Sequence, residues 1–178
     1  MRVITGTARG RKLLEPEGMD IRPTTDVVKE SMFNIIQFDI EGRRVLDLFA
    51  GTGQLGIEAL SRGAAGAVFV DQSKTAVKLV QDNLKKTKLE GGRAVQAEAL
   101  SYLAGCEPFD LIFLDPPYQT GLLEKALLNI VKFDKLNTVG IIVCESSADK
   151  ELPELEAPYQ RLKTYRYGKV RITLYTRL

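Results

Sequence analysis

The sequence predicts an α/β fold: a doubly wound, seven-stranded, mostly parallel sheet with helices on both faces and an antiparallel last strand. Three observations carry this expectation. After residue 42, short apolar runs alternate with amphipathic stretches, the pattern of strands joined through helices. The first run, Val45 to Leu48, passes through a glycine-rich loop straight into a helical pattern. Finally, Thr164-Tyr165-Arg166-Tyr167 and Val170 to Tyr175 flank Gly168-Lys169, which reads as a hairpin and turns the last strand antiparallel.

In chain order, strands are expected near 43–48, 66–71, 92–97, 110–114, 139–145, 162–167 and 170–175. One helix follows Thr25, whose hydroxyl can cap it, and another follows Gly53. The best-marked helix spans 73–86, where Ser73 caps and Ala76, Val77, Val80 and Leu84 form one apolar stripe. A further helix follows Gly121. There are no repeats, and the linker-like stretches Gly18 to Pro23 and Lys150 to Pro158 are too short to separate domains, so residues 1–178 read as one domain.

Composition agrees with one packed core: 178 residues, 44% hydrophobic and 27% charged. No apolar stretch approaches the roughly 18 residues that span a bilayer, and the N-terminus lacks a signal-peptide core, so a cytoplasmic protein with no membrane partner is expected. Cys106 and Cys144 form no CxxC pair, and Cys144 sits inside the apolar run Ile141 to Cys144, a core position. The chain has no histidine. Imidazole chemistry is thereby excluded, and with it a His/Cys metal site, so the expected chemistry is metal-independent.

Gly51, Gly53 and Gly56 satisfy G-x-G-x-x-G, and Asp71 stands twenty residues beyond Gly51 at the end of the run Ala67 to Val70. Glycines let the backbone approach a ligand, the helix start presents free N–H groups, and the distal carboxylate takes ribose hydroxyls. NAD and S-adenosylmethionine both carry adenosine and suit this layout. Asp47, four residues before Gly51, favours the latter, because a carboxylate there attracts an ammonium or sulfonium and repels a pyrophosphate. Asp115-Pro116-Pro117-Tyr118, directly after Leu111 to Leu114, offers a carboxylate, a stiff backbone carbonyl and an aromatic face. Asp115 and the Pro116 carbonyl can accept the two hydrogens of a planar NH2 while Tyr118 stacks on the base that bears it. The alternative reading of these four residues is a strand-ending Pro-Pro turn with a half-buried tyrosine.

The series Asp47-x-Phe49-x-Gly51-x-Gly53, Asp71 and Asp115-Pro116-Pro117-Tyr118 resembles class I S-adenosylmethionine-dependent methyltransferases that modify exocyclic or amide nitrogens. Three N-terminal stretches narrow the match: Arg2 to Gly6, Arg9-Gly10-Arg11-Lys12-Leu13, and Ile21-Arg22-Pro23-Thr24-Thr25-Asp26 running on to Asn34. With them, the chain resembles the RsmD family of bacterial enzymes that methylate guanine N2 in small-subunit ribosomal RNA. The resemblance runs over the whole chain, and departs from the family at Ala97-Glu98-Ala99, where a longer acid stands.

The resemblance implies a Rossmann-like class I fold with residues 1–24 as a small N-terminal β-hairpin extension and 25–178 as the catalytic core. It implies S-adenosylmethionine as methyl donor, S-adenosylhomocysteine as product and no metal. Asp47, Phe49, Gly51, Gly53, Asp71, Gln72, Glu98 and Ala99 would hold the cofactor, and Asp115, Pro116, Pro117 and Tyr118 the target amine. The implied partner is 16S rRNA or the assembling small subunit, with no stable protein partner.

Charge distribution supports a polyanionic substrate. Residues 1–12 hold Arg2, Arg9, Arg11 and Lys12 with no acid, and residues 157–178 are basic without an acid. Arg9, Arg11, Lys12, Lys169 and Arg171 are the candidate phosphate contacts, joined through the resemblance by Arg22. Basic residues that guard sheet edges would look the same. Competing functions are a DNA adenine or cytosine amino-methyltransferase, which usually carries a separate recognition region, and a protein glutamine N-methyltransferase, which needs no basic groove. A nucleotide-binding module without turnover is a further alternative.

Overall fold

The computed structural model describes residues 1–17 and 25–178. Strands β1 (Arg44–Asp47), β2 (Gly66–Asp71), β3 (Gly92–Gln96), β4 (Phe109–Leu114), β5 (Leu136–Ser147), β6 (Tyr159–Tyr167) and β7 (Val170–Arg177) form one sheet. Its order is β3-β2-β1-β4-β5-β7-β6. β1 to β5 run parallel, and β7 lies antiparallel between β5 and β6. The chain builds outward from β1 to β3, then returns to lay β4 on the other side of β1. The C-terminal ends of β1 and β4 therefore flank the switch point, where doubly wound sheets open a crevice.

Among the described residues, five helices cover the sheet: α1 (Asp26–Ile35), α2 (Gln54–Ser61), α3 (Lys74–Thr87), α4 (Ala99–Gly105) and α5 (Leu122–Phe133). The central strands are apolar on both sides because both faces are covered. Val45, Phe69, Phe113 and Val143 pack with α1, α2 and α3, whereas Leu46, Val70, Leu114 and Ile142 pack with α4 and α5. Cys144 is fully buried in the second core, and burial pushes its thiol well above the usual range. Thr25 and Ser73 cap α1 and α3 by accepting from the Val28 and Ala76 amides.

Three elements differ from the sequence expectation; one is β6, which begins at Tyr159, ahead of the expected 162, with a register shift between Arg161 and Lys163. α4 was not anticipated, since seven residues are too few to show a period; it is marked only by Glu98, whose side chain caps it. β5 begins at Leu136, ahead of the expected 139. A register shift opposite Phe109 and Leu111, with Val139 at φ 58°, splits it into a leading piece and the regular apolar strand. Gly140 is needed beside this kink, because a Cβ there would lie 2.8 Å from the Asp110 carbonyl.

The N-terminal segment folds back on itself through one antiparallel bridge, Arg2 with Lys12, and Val3 N donates to Arg11 O at 2.9 Å. Its anchors lie far along the chain. The Ile4 and Thr5 amides donate to Glu58 Oε1 and Oε2 at 2.8 and 3.0 Å, and the Ala8 amide donates to Ser61 Oγ at 3.0 Å. Gly6 meets α2 so closely that a Cβ would lie 1.9 Å from the Ser61 carbonyl oxygen. Glu58 also pairs with Lys29 at 3.2 Å and Arg62 at 2.9 Å. Lys29 and Glu58 are both 0% exposed, so each charge depends on the other. Burial pulls the Lys29 ammonium below its ordinary range, and Glu58 opposes that shift.

Candidate active site

A cleft of about 630 Å³ opens at the C-terminal ends of β1, β2 and β4. The loop after β1 is held between its neighbours, since the Leu48 amide donates to Phe113 O of β4 and the Ala50 amide to Val70 O of β2. Gly51 and Gly53 adopt φ 57° and 83°, which fold the loop tightly into α2. Gly53 is the N-cap of α2 and provides no side chain, leaving the helix start open toward the crevice. Gly56, the third glycine, packs against β2: a Cβ would lie 2.3 Å from Phe69 Cε1.

Two carboxylates organise this loop. Asp71 accepts from the Gly51 amide at 3.0 Å and the Ser73 amide at 2.9 Å, tying the loop to the end of β2. Each of its oxygens keeps a second lone pair for a ligand hydroxyl. Asp47 accepts from the Gly56 amide at 3.1 Å and is only 2% exposed. Burial pushes its carboxyl up to about 7; the Gly56 hydrogen bond opposes the shift and the negative Asp71 adds to it. Beside it, Gln54 Oε1 is buried without a hydrogen-bond partner and lines the same cleft. A costly carboxylate and an orphaned acceptor together suit a ligand that brings a cationic N–H donor. The methionine ammonium of S-adenosylmethionine is such a donor, so the residues present fit that group.

Opposite the loop, Asp115, Pro116, Pro117 and Tyr118 line the cleft just beyond β4. Asp115 and Tyr118 are half-buried and Pro116 is buried. The corner is closed from behind: Thr120 Oγ1 donates to Pro117 O at 2.9 Å, and Gln119 and Gly121, at φ 64° and 72°, turn the chain into α5.

Of the residues anticipated for the cofactor, Asp47, Phe49, Gly51 and Asp71 line the cleft, as do Gln72, Glu98 and Ala99. Gly53 does not; it sits one step behind, hemmed in by Val80 and Ile57. The Glu98 carboxylate accepts from the Leu100 and Ser101 amides at 3.0 and 2.7 Å, which holds its carboxyl below the usual range. Met1, Thr52 and Gln54 also line the cleft and were not anticipated. Gln54 directly follows the glycine loop, and its position at the start of α2 was the available signal.

The basic candidates lie outside the cleft. Arg9, Lys12 and Lys169 are exposed. Arg11 donates to the Thr87 carbonyl at 3.0 Å, satisfying the end of α3. Arg171 donates to Lys150 O and Glu151 Oε1 at 2.9 and 3.0 Å. Val170 pairs with Ser147 at the end of β5, so the Gly168-Lys169 turn stands at the same end of the sheet as the cleft. Arg22 falls outside the described residues. Among the described residues, no group of three or more His, Cys, Asp or Glu is placed to hold a metal ion, and no helix is long and apolar enough to cross a membrane.

Comparison with known proteins agrees with the geometry. Ribosomal RNA small subunit methyltransferase D of Escherichia coli (strain K12) is 37% identical over 178 residues, covering 99% of this chain and 90% of that protein. The protein of the same name from Haemophilus influenzae is 36% identical over 157 residues, covering 85% and 81%. The solved structure of yhhF from Escherichia coli superposes with a TM-score of 0.90 at 36% identity, covering 99% of this chain and 97% of that one. The methyltransferase SMU.776, solved with S-adenosylhomocysteine, shares the fold at 15% identity and a TM-score of 0.67, covering 83% of this chain and 48% of its own. The sheet order and these likenesses establish the class I, Rossmann-like methyltransferase fold. The family described as conserved hypothetical protein 95 matches residues 1–176, and with relatives of this identity along nearly the whole length, the chain belongs to the RsmD family.

Proposed function

We propose that this protein transfers a methyl group from S-adenosylmethionine to the exocyclic N2 amine of a guanine in 16S rRNA. The observation that carries the reading is a single cleft holding, on one wall, a buried Asp47 and an orphaned Gln54 oxygen and, on the other, the Asp115 to Tyr118 corner. The names of the relatives direct the acceptor toward small-subunit RNA.

Asp47 and Gln54 would hold the methionine ammonium, Asp71 the ribose hydroxyls, and Phe49, Gln72, Glu98 and Ala99 the surrounding adenosine, over a loop shaped by Gly51 and Gly53. The bound cofactor supplies an already activated methyl carbon, so the protein chiefly aligns nucleophile, methyl and leaving sulfur. The guanine amine is a weak nucleophile because its lone pair is delocalised into the ring. Asp115 and the Pro116 carbonyl would accept its two hydrogens and favour the pyramidal, positively charged nitrogen that forms as the N–C bond is made. Tyr118 would stack on the ring and Pro117 stiffen the corner. The proton is lost once the nitrogen is methylated and acidic, without a strong base. Residues 1–24 would form an extension on a catalytic core of 25–178, and Arg9, Lys12 and Lys169 would approach phosphates.

The test is to incubate the protein with methyl-labelled S-adenosylmethionine and either naked 16S rRNA or small-subunit particles, then identify the labelled nucleoside by mass spectrometry. N2-methylguanosine is the expected product. Methyladenosine, or labelling of a protein glutamine, overturns the reading.

A further inference from the structure

The end of α3 is crowded with cations. Lys85, Lys86 and Lys88 are all exposed, and residues 83–90 hold these three lysines against one acid, Glu90. Asp82, a turn before Lys86, is taken by Lys78 at 2.5 Å. The plainer account is that cations complement the negative end of a helix. That place is filled from elsewhere: Arg11 Nη1 donates to the Thr87 and Lys86 carbonyls at 3.0 and 3.4 Å, and the Lys88 amide closes onto Lys85 O. Lys88 is also a poor cap. Its backbone is left-handed, at φ 57° and ψ 26°, a conformation that glycine takes at helix ends without the Cβ clash a lysine meets. A lysine kept at a strained position points to a use for its side chain.

The N-terminal segment runs along the same helix end. Leu14 exchanges two hydrogen bonds with Asn83, at 2.6 and 3.1 Å, and Arg11 reaches the Thr87 carbonyl one helical turn further on. Lys12 stands between these two anchors and Arg9 just before them, both exposed, so the segment adds its cations to those of α3. Asn83 ties this ridge to the cleft, because it also donates at 3.0 Å to the carbonyl of Thr52, a residue of the cleft wall. Neither 9–14 nor 83–90 contains an aromatic residue. A surface of this composition attracts phosphates and has no ring on which a base can stack.

We infer that Lys85, Lys86 and Lys88, with Arg9 and Lys12, form a ridge that grips the phosphate backbone of a helical rRNA segment adjoining the one that carries the target base. This rests on the rRNA-methylation reading above and deepens it, giving the substrate a second, sequence-independent contact. Double-stranded RNA is held mainly through its backbone and 2′-hydroxyls, which suits exposed lysines without aromatic neighbours. A single strand, with its bases free, is better matched by rings to stack on.

The test measures affinity for naked 16S rRNA and for small-subunit particles across salt concentrations. Replacing Lys85, Lys86 and Lys88 together with Ser should make the log-log slope shallower by about 2 to 3 on both, raise KM for the RNA and leave kcat and S-adenosylmethionine affinity unchanged. Lys125 and Lys132 of α5 are exposed on the other side of the sheet, and their replacement should leave the slope alone. An equal effect per charge at these two would reduce the ridge to net charge and overturn the inference. Lys88→Gly removes one cation and relieves the backbone, so it should keep or raise the thermal midpoint while flattening the slope by roughly 0.7 to 0.9. Weaker binding to particles with naked rRNA unaffected would seat an acidic protein surface on the ridge, against the inference. A wild type that labels no rRNA sinks the reading above; a wild type that labels rRNA while the triple variant keeps its slope sinks this inference alone.

Discussion

An ionised Asp47 gains one amide hydrogen bond from Gly56 and gives up nearly all its water. Its carboxyl, near 3.9 in an unfolded chain, is pushed up to about 7 in the folded one. The folded state therefore binds this proton more tightly than the unfolded state. The linked stability is greatest below the unfolded value and is lost as pH rises toward 7, by about 4 kcal/mol in all. Asp47→Asn keeps an acceptor for Gly56 and removes the charge. It should raise the thermal midpoint of the ligand-free protein at pH 8, with a much smaller gain at pH 5, while weakening S-adenosylmethionine binding. Calorimetry near pH 7 in buffers of different ionisation enthalpy should show proton release as the cationic ligand binds wild type. 5′-Methylthioadenosine, which lacks the ammonium, should release none. Equal proton release by both ligands would separate Asp47 from the ammonium.

The other two carboxylates should divide by ligand. Asp71→Ala should weaken S-adenosylmethionine binding by about 1.5 to 3 kcal/mol, as expected for hydrogen bonds to a charged group. Asp115→Ala should remove most turnover and leave that affinity nearly intact. A matching loss of cofactor affinity in the Asp115 variant would place its carboxylate on the wrong ligand.

At the scale of elements, α2 is held against β2 by the absence of a side chain at Gly56. Phe69 is buried and its ring cannot yield to the added methyl of Gly56→Ala. Overpacking of this kind costs about 1 to 3 kcal/mol, and α2 should move outward to relieve it. Because the Gly56 amide also holds Asp47, stability and cofactor affinity should fall together. Adding Phe69→Leu should recover part of the stability, measured by thermal denaturation; no recovery would locate the strain elsewhere.

The same scale shows what could be read from the chain. The parallel strands β1, β2 and β4 and the second half of β5 are buried and leave continuous apolar runs, while the Gly168-Lys169 turn marks the antiparallel pair β6 and β7. Glycine and proline positions with fixed backbone needs made both loops legible, and with them most of the cleft. α4 was not, because its start is a glutamate cap and its length is under two turns or so. Gln54 was missed because its importance comes from burial, which depends on what packs around it. Arg11 and Arg171 read as substrate contacts, yet each meets a backbone carbonyl, at Thr87 and Lys150, that no local pattern reveals.

For the whole molecule, Lys169 stands at the cleft end of the sheet and Arg9 and Lys12 are exposed on the N-terminal segment, and their effect should appear in salt dependence. Replacing Arg9, Lys12 and Lys169 together with Ser should make the log-log slope of RNA affinity against salt shallower by about 2 to 3, from 0.7 to 0.9 per phosphate contact. Cofactor affinity should not change. Binding measured by filter retention across salt concentrations decides the point, and an unaltered slope assigns these residues to edge protection.

The anchors of the N-terminal segment set an order on its assembly during synthesis. Ile4, Thr5 and Ala8 dock on Glu58 and Ser61, and Leu14 is gripped by Asn83, which donates to its carbonyl and accepts from its amide. A ribosome delivers the first fourteen residues seconds before their partners, at roughly 5 to 20 residues per second. Residues 4–8 have nowhere to settle until α2 has emerged, and Leu14 waits for α3. The same Asn83 donates to the Thr52 carbonyl in the glycine loop. One amide thus makes closure of the N-terminus and shaping of the cofactor loop a single late event, and a nascent chain shorter than this helix should hold neither.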